Sequence, residues 1–280
     1  MSPVNQYTHV RAPAVAGMFY PSDPGRLKAM VQRLLHQAES ELQCGGLVGQ
    51  PAGGPAWPKA VIAPHAGYMY SGPIAAAAYT RLAPGKGKIG RVVMIGPAHR
   101  VAFAGLAVCG QDAFATPLGP VAVDQTGVEL ALRQPGVQRL DSAHAPEHAL
   151  EVHLPFLIEV LGDIKIVPLL FGQTSPPEVA RVLEALWGGE ETVILVSSDL
   201  SHYLDMAAAH RLDRAAADAI EALEPQRLAP EQACGRIAIQ GLLEVARVRH
   251  LHSHTVDLRT SGDTAGPQEE VVGYGAFVLQ

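Results

Sequence analysis

Three histidines each follow a short apolar segment, and one cysteine stands where a helix is predicted to begin. His65 follows KAVIAP, His99 follows RVVMIGPA, and His202 follows ETVILVSSDLS. Cys234 lies in QACGRIAIQGLL, and the dipole and free amide groups of a helix start favour a thiolate. Imidazole and thiolate groups are typical ligands of transition metals. These residue types therefore predict a metal site if the fold brings them together.

The apolar segments have the character of buried parallel strands. Strands are predicted at 59–63, 91–95, 165–171 and 192–197, with VVGYGAFVL as a last strand. Helices are predicted from Pro24 and at 73–82, 125–133, 147–161, 176–186, 206–223 and 236–248. This alternation predicts a mainly parallel sheet covered on both faces. Because such sheets bind ligands beyond the carboxyl ends of their strands, one crevice is expected to collect His65, His99 and His202.

Each candidate also has a purely structural interpretation. His65 and His99 could simply hydrogen-bond their turns, although their occurrence at successive strand ends favours a shared site. Asp199 in SSDLSH is expected to orient an imidazole, with helix capping as the alternative. His202 is a candidate metal ligand or general base. Cys234 could be a small buried apolar residue, but the adjacent Gly235 and Arg236 favour a low-pKa thiol.

Two further histidine-rich segments invite a metal-site interpretation. In EHALEVHLPF, His148, Glu151 and His153 resemble the H-x-x-E-H order of inverzincins. On a helix His153 would lie about 140° from His148, so the two could not easily grip one ion. His148 and Glu151 remain candidates for the wall of the pocket. HLHSH would place three imidazoles on one strand face, against the simpler interpretation of a polar edge.

Composition limits the classes of protein to consider. The 280 residues are 48% hydrophobic and 17% charged, with a net charge of −6, which suits one large domain spanning 1–280. A nucleic-acid binder would need a basic excess. We expect no membrane span and no signal peptide, and three widely spaced cysteines argue against a disulfide framework. A cytoplasmic location is therefore expected.

Many segments in order resemble the Memo family, in particular its prokaryotic branch, named AmmeMemoRadiSam system protein B. They cover nearly the whole chain: RAPAVAGMFYPSDPGRL, APHAGYMYSGPIAAAAY, VVMIGPAHR, FATPLGPVAVD, EHALEVHLPFL, PLLFG, SSDLSHY, ACGRIAI and TSGDTAG. Memo proteins are similar in fold to class III extradiol dioxygenases, which use non-haem Fe(II). The resemblance implies a single three-layer α/β/α domain with a mainly parallel central sheet.

The resemblance also implies roles for particular residues. His65, His99 and Cys234 match the family's metal-binding positions, and His202 matches the catalytic base of the dioxygenases. The dioxygenases have a carboxylate where this chain has Cys234, so ring cleavage does not transfer. Ile237 and Ala238 stand where the family often has Gly-Pro. The branch name further implies radical S-adenosylmethionine and AMMECR1-like partner proteins.

Two hypotheses follow. The first is a metal-dependent oxidoreductase in which His65, His99 and Cys234 hold iron or copper, with zinc as a further candidate, while His202 and Asp199 serve catalysis. The second is a non-catalytic protein that binds a small molecule, peptide or partner in the same crevice. Fold similarity alone does not choose between an enzyme and a binding protein.

Overall fold

Short apolar runs form the strands of one large sheet in the computed structural model, which describes residues 7–45 and 55–280. The central strands Ala60–Ala63 and Thr192–Ser197 are buried along their whole length, as expected for a parallel sheet covered on both faces. The strands are β1 (Val10–Arg11), β2 (Ala60–Ala63), β3 (Arg91–Pro97), β4 (Leu106–Val108), β5 (Ala113–Thr116), β6 (Gly119–Val123), β7 (Val137–Arg139), β8 (Lys165–Phe171), β9 (Thr192–Ser197), β10 (His202–Leu204), β11 (Ser253–Thr260) and β12 (Val271–Leu279).

The order of the main sheet is β1-β5-β6-β8-β3-β9-β2-β12-β10. Its centre, from β6 through β8, β3 and β9 to β2, is parallel throughout. The margins are mixed, because β12 runs antiparallel to β2, β10 and β11, and β5 runs antiparallel to β6. The carboxyl ends of β2, β3 and β9 therefore meet at one edge.

The helices cover the sheet in two groups. They are α1 (Pro24–Gly45), α2 (Tyr68–Thr80), α3 (Gln125–Leu132), α4 (Asp141–His144), α5 (Leu154–Leu161), α6 (Pro176–Ala185), α7 (Met206–Glu221) and α8 (Arg236–Val248). Helices α1, α2 and α5 pack together, while α6 packs on α8 and α3, and α7 lies against β11 and β12. The result is the expected α/β/α arrangement around a mainly parallel sheet.

Two predicted helix starts differ from the structure. Helix α2 begins at Tyr68, five residues before the predicted start at Pro73, because the N–H of Tyr68 donates to Phe19 O at 2.8 Å and fixes the first turn. The helix predicted at 147–161 is shorter, since α5 begins only at Leu154 after a 3₁₀ turn. Pro155 explains the difference: inside a longer helix it would break a hydrogen bond and clash with the preceding turn.

The HLHSH segment does not form one strand face, so that interpretation is wrong. His250 ends α8 with a φ of 56°, and β11 begins only at Ser253. Most of the Gly- and Pro-rich segment before β2 and the side chain of Cys44 lie outside the described residues. Within the described ranges, every helix is too short or too polar to cross a bilayer.

Candidate metal centre

A cavity of about 1400 Å³ opens at the sheet edge where β2, β3 and β9 end. Six of the residues singled out in the sequence line it: His65, His99, His148, Asp199, His202 and Cys234. Strand order accounts for this convergence, because β3, β9 and β2 are adjacent parallel strands and the loops after them emerge side by side. The predicted crevice is therefore present.

His65 is buried and held in one orientation. Its Nδ1 lies 2.7 Å from Ser197 Oγ, and that hydroxyl lies 2.6 Å from the carbonyl oxygen of Ala149. The hydroxyl donates its single proton to the carbonyl, so it accepts a hydrogen bond from Nδ1–H. Burial, followed by the nearby His99 and His148, lowers the pKa of His65 well below its usual value. The imidazole is therefore neutral, and its Nε2 carries the lone pair that a ligand would use.

His99 is oriented by a buried carboxylate. Its Nδ1 lies 3.0 Å from Oε1 of Glu147, and its backbone N–H donates to Oε2 at 2.6 Å. With Nδ1–H directed at the carboxylate, Nε2 is the nitrogen available to a metal ion. A histidine that donates its second N–H to a carboxylate is the usual arrangement in metal sites.

His148 completes a cluster of three imidazoles. Its ring stacks on His99 with centroids 4.9 Å apart and meets His65 edge-on at 5.4 Å. One nitrogen from each of the three histidines lies within 4.8 Å of the other two. Two nitrogens bound to one ion at about 2.1 Å stand at most about 4.2 Å apart, so small side-chain rotations bring the three to a common ion. The sequence placed His148 only in the pocket wall.

Glu147 holds this cluster together, and sequence reasoning missed it. Besides both contacts with His99, its carboxylate accepts the backbone N–H groups of His148 at 2.9 Å and Ala149 at 3.0 Å. Burial alone would raise the pKa of Glu147, but hydrogen bonds from His148, His99 and the backbone hold that pKa well below its ordinary value. An acid directly beside His148 was the only sequence signal for this role.

We expect Glu147→Gln to lower metal affinity about 10- to 100-fold, the usual effect of removing a carboxylate that orients a ligand. The amide replaces one accepting oxygen by an N–H₂ group that faces N–H donors, so at least one histidine loses its support. Competition with a chromophoric chelator measures the affinity. Glu129→Gln, in an exposed ion pair with Arg139, is the control. Equal affinities for all three proteins would contradict the assignment of Glu147.

Cys234 lies beside the cluster, immediately before the N-cap of α8. Its Sγ is 3.5 Å from Nε2 of His65 and receives the backbone N–H of Asp199 at 3.3 Å. A nitrogen and a sulfur bound tetrahedrally to one ion, at about 2.1 and 2.3 Å, are separated by about 3.6 Å. The Cys234 and His65 pair matches that separation. The group of ligand atoms within 4.8 Å of one another consists of the three imidazoles, which suit a transition metal, and the Cys234 thiol lies outside that group, next to His65.

The expectation of an acidic Cys234 thiol in the metal-free protein is wrong. Burial first, and then the nearby Asp199 carboxylate, raise the pKa of Cys234 to about 12. Gly235 and Arg236, which were expected to stabilise the thiolate, do not offset this rise in pKa. The guanidinium of Arg236 contacts Gln240 at 3.1 Å, and the hydrogen bonds from Asp199, Ser198 and Gly235 lower the pKa of Cys234 by less than burial raises it. The thiol is therefore protonated unless a metal displaces its proton.

We therefore expect Cys234 in the metal-free protein to alkylate slowly at neutral pH, because the thiolate is the reactive form. Peptide mapping after timed exposure to iodoacetamide gives the rate, and the same protein unfolded in urea gives the reference. A rate in the folded protein equal to that in urea would show that the thiol is neither shielded nor held protonated.

Asp199 lies beside both His65 and Cys234, and His202 lines the same cavity. Asp199 is buried, accepts the backbone N–H of His65 at 2.7 Å, and places its second oxygen 4.0 Å from His65 Nε2. Burial raises its pKa in spite of that hydrogen bond. It caps no helix, since α7 is capped by Asp205. His202 lines the cavity from β10, with its ring 5.8 Å from that of Tyr203.

Glu151 does not line the cavity, so its expected place in the cavity wall is wrong. Its contacts are structural. Its buried carboxylate pairs with Arg11 and accepts the backbone N–H groups of Ala14 at 2.6 Å and Val15 at 3.0 Å and the hydroxyl of Tyr20 at 2.5 Å. Arg11 also donates to the carbonyl oxygen of Glu147. Glu151 thus ties the N-terminal segment to the loop that carries Glu147 and His148.

Known proteins resemble this chain over almost its whole length. A family model described as Memo-like protein matches residues 11–278. A MEMO1 family protein of Methanothermobacter thermautotrophicus is 35% identical over 281 residues, covering 95% of this chain and 98% of its own. One of Ignicoccus hospitalis is 38% identical, covering 95% and 97% of the two chains, and one of Thermotoga maritima is 34% identical, covering 96% and 99%. With a family match over almost its whole length and relatives of equal extent, the chain belongs to the Memo family.

Proposed function

We propose that this Memo family protein is a metal-dependent oxidoreductase whose substrate enters the cavity above the histidine cluster. The observation that carries the proposal is the orientation of His65 and His99: each has its Nδ1–H directed at a fixed protein acceptor, which leaves Nε2 for one shared ion. His65 is buried and His99 is exposed, and a histidine needed only for packing would not require this arrangement in either setting. His148 and Cys234 complete the donor set.

The donor set favours iron or copper. Imidazole suits iron, copper and zinc, and a thiolate shifts preference towards softer ions. When bound, iron or copper supplies redox and Lewis-acid chemistry. Zinc would supply only Lewis-acid chemistry. The unpaired Cys109 and Cys234 also suit a reducing compartment, so we place the protein in the cytoplasm.

The chain's own residues supply positioning and proton transfer. Ser197 and Glu147 fix which nitrogens of His65 and His99 face the cavity. His202 lines the same cavity, and histidine is the commonest general base, so we assign it proton transfer to or from the substrate. Asp199 holds the His65 backbone and, with its raised pKa, is suited to keep or return a proton beside Nε2.

Metal analysis of anaerobically purified protein tests the proposal. We expect stoichiometric iron or copper in the wild type, and a loss of about 10-fold or more in affinity for His65→Ala, His148→Ala and Cys234→Ala. His252→Ala is the matched control, because that side chain is exposed and outside the cavity.

The variants separate the alternatives. Loss of metal in His65→Ala but not in His148→Ala would restrict the ligands to His65, His99 and Cys234. Equal metal in every variant would rule out this site. Failure of the wild type to bind iron or copper, even after anaerobic loading, would favour the non-catalytic binding protein.

A further inference from the structure

One face of α1 lines the mouth of the cavity. The buried stripe Leu27, Val31 and Leu34 packs α1 into the core, and the side chain of Leu34 reaches the space beside Gly72 of α2. The adjacent stripe contributes four residues to the cavity lining, namely Arg26, Ala29, Met30 and Arg33. Arg26 and Arg33 are two helical turns apart, about 10 Å along the axis, so they offer cations at two separate positions.

A third arginine stands next to the metal-site histidines. Arg100 follows His99 directly and also lines the cavity. Among the described residues, no acceptor is hydrogen-bonded or ion-paired to the guanidinium groups of Arg26, Arg33 or Arg100. Five N–H donors on each guanidinium are therefore available to a ligand. Planar guanidinium groups bind carboxylates and phosphates through paired hydrogen bonds, which solvent-exposed lysines do not match.

The acidic groups at the mouth do not cancel these cations. Asp23 lines the cavity, but its Oδ1 accepts the backbone N–H of Arg26 at 2.8 Å, as a cap of α1. Glu270 is the other exposed acid in the lining. Three arginines thus face the two exposed carboxylates of the mouth, one of which is already engaged, while the third acid of the lining, Asp199, is buried beside His65. The mouth keeps a positive excess although the whole chain carries a net charge of −6.

The same mouth exposes apolar side chains. Met18, Met69 and Tyr203 are 72%, 60% and 73% exposed and all line this cavity. Val248 is the only other large apolar side chain of comparable exposure within 7–41 and 55–280, the residues whose side-chain burial the structure describes. Scattered exposed apolar residues are ordinary, but three around one cavity mark a surface that is covered by a ligand. The ligand therefore needs an apolar part as well as an anionic one.

We propose that the cavity binds a small organic anion, with an apolar body against Met18, Met69 and Tyr203 and a carboxylate or phosphate held by Arg26, Arg33 and Arg100. The identification of this molecule as the substrate rests on the proposed metal-dependent function. The selection of anions by the cavity does not depend on that function. Arg100, beside His99, is placed to hold an anionic group close to the cluster. The arginines of α1 hold one nearer the entrance.

Calorimetric titration with matched probes tests the selectivity. The full chain is titrated with 4-phenylbutyrate, phenyl phosphate and the neutral 4-phenylbutanamide, each with and without bound metal. We expect at least one anion to bind ten-fold or more tightly than the amide, a difference of about 1.4 kcal/mol, and to weaken as salt is added. The relative affinities of the two anions identify the preferred group.

Arginine variants locate the selectivity. The triple variant Arg26→Gln, Arg33→Gln and Arg100→Gln is expected to bind anion and amide equally. The control, Arg211→Gln, Arg214→Gln and Arg247→Gln, removes the same charge from exposed positions outside the cavity and should keep the preference. Retained preference in the first variant, or failure of both anions to bind the wild type at millimolar concentration, would overturn the proposal.

The two proposals fail separately. Anion preference in protein that never binds iron or copper would leave the anion site standing and remove the oxidoreductase. Stoichiometric metal in protein that binds the anions and the amide equally would leave the oxidoreductase standing and remove the anion site.

Discussion

Replacing Glu151 by alanine is expected to destabilise the metal-free protein by about 3–5 kcal/mol, the cost of leaving one member of a buried ion pair without its partner. Arg11 and Glu151 are both buried, and Arg11 has no water to replace the lost carboxylate. The same change removes the acceptor of the Ala14 and Val15 N–H groups and the Tyr20 hydroxyl. Urea unfolding followed by circular dichroism measures the loss.

Glu129→Ala is the matched control for Glu151→Ala. Glu129 also pairs with an arginine, Arg139, at 2.9 Å, but both side chains are exposed. Exposed pairs contribute at most about 1 kcal/mol, so the two variants should differ several-fold in their effect. Similar losses would show that Glu151 contributes no more than a surface charge. Replacing both Arg11 and Glu151 by apolar residues should not rescue stability, because the N–H groups of Ala14 and Val15 would remain unpaired.

Gly235→Ala is expected to reduce both stability and metal affinity. A Cβ at Gly235 would stand 2.5 Å from Ser198 Cβ and 2.7 Å from the carbonyl oxygen of Ser197, so the start of α8 must move away from the end of β9. Overpacking of this kind costs about 1–3 kcal/mol. The movement takes Cys234 away from His65, and we expect metal affinity to fall at least 10-fold, as when a ligand loses its support.

A second glycine of the same helix provides the control. A Cβ at Gly241 would lie 2.6 Å from Val179 Cγ1 and 2.9 Å from the carbonyl oxygen of Pro176, which is a similar clash away from the cavity. Gly241→Ala should lose comparable stability and keep its affinity in chelator competition. If both variants lose affinity equally, the effect of Gly235→Ala is general loosening and not displacement of Cys234.

The bounds of strands and helices with an uninterrupted apolar pattern could be predicted closely from the sequence. Strands β8, β9 and β12 and helix α8 have the predicted bounds, because continuous apolar runs mark buried strands and the apolar periodicity of α8 is regular. The short strands β5 and β6 were missed. They lie at the sheet margin, where the run from Ala113 to Val123 is interrupted by Pro and Gly and resembles a loop.

The sequence predicts those site residues that directly follow a strand. His65 and His99 could be placed because each follows a central strand. The role of His148 could not, because a helix through 147–161 was expected and the turn that replaces it depends on Pro155 and on hydrogen bonds to the Glu147 carboxylate. Ser197 was likewise hidden, since its role depends on a contact with His65 across neighbouring strands.

The position of β12 has a consequence for how the protein is made. β12 pairs with β2, the strand that leads to His65, although residues 64–270 lie between them, and Tyr274 of β12 lines the cavity. While a ribosome is still translating, β2 has no neighbour on that side until Leu279 has emerged. The cavity wall is therefore completed only after β12 has been synthesised. A chain truncated before β12 would present an open, apolar strand edge to other nascent chains, the situation that leads to aggregation.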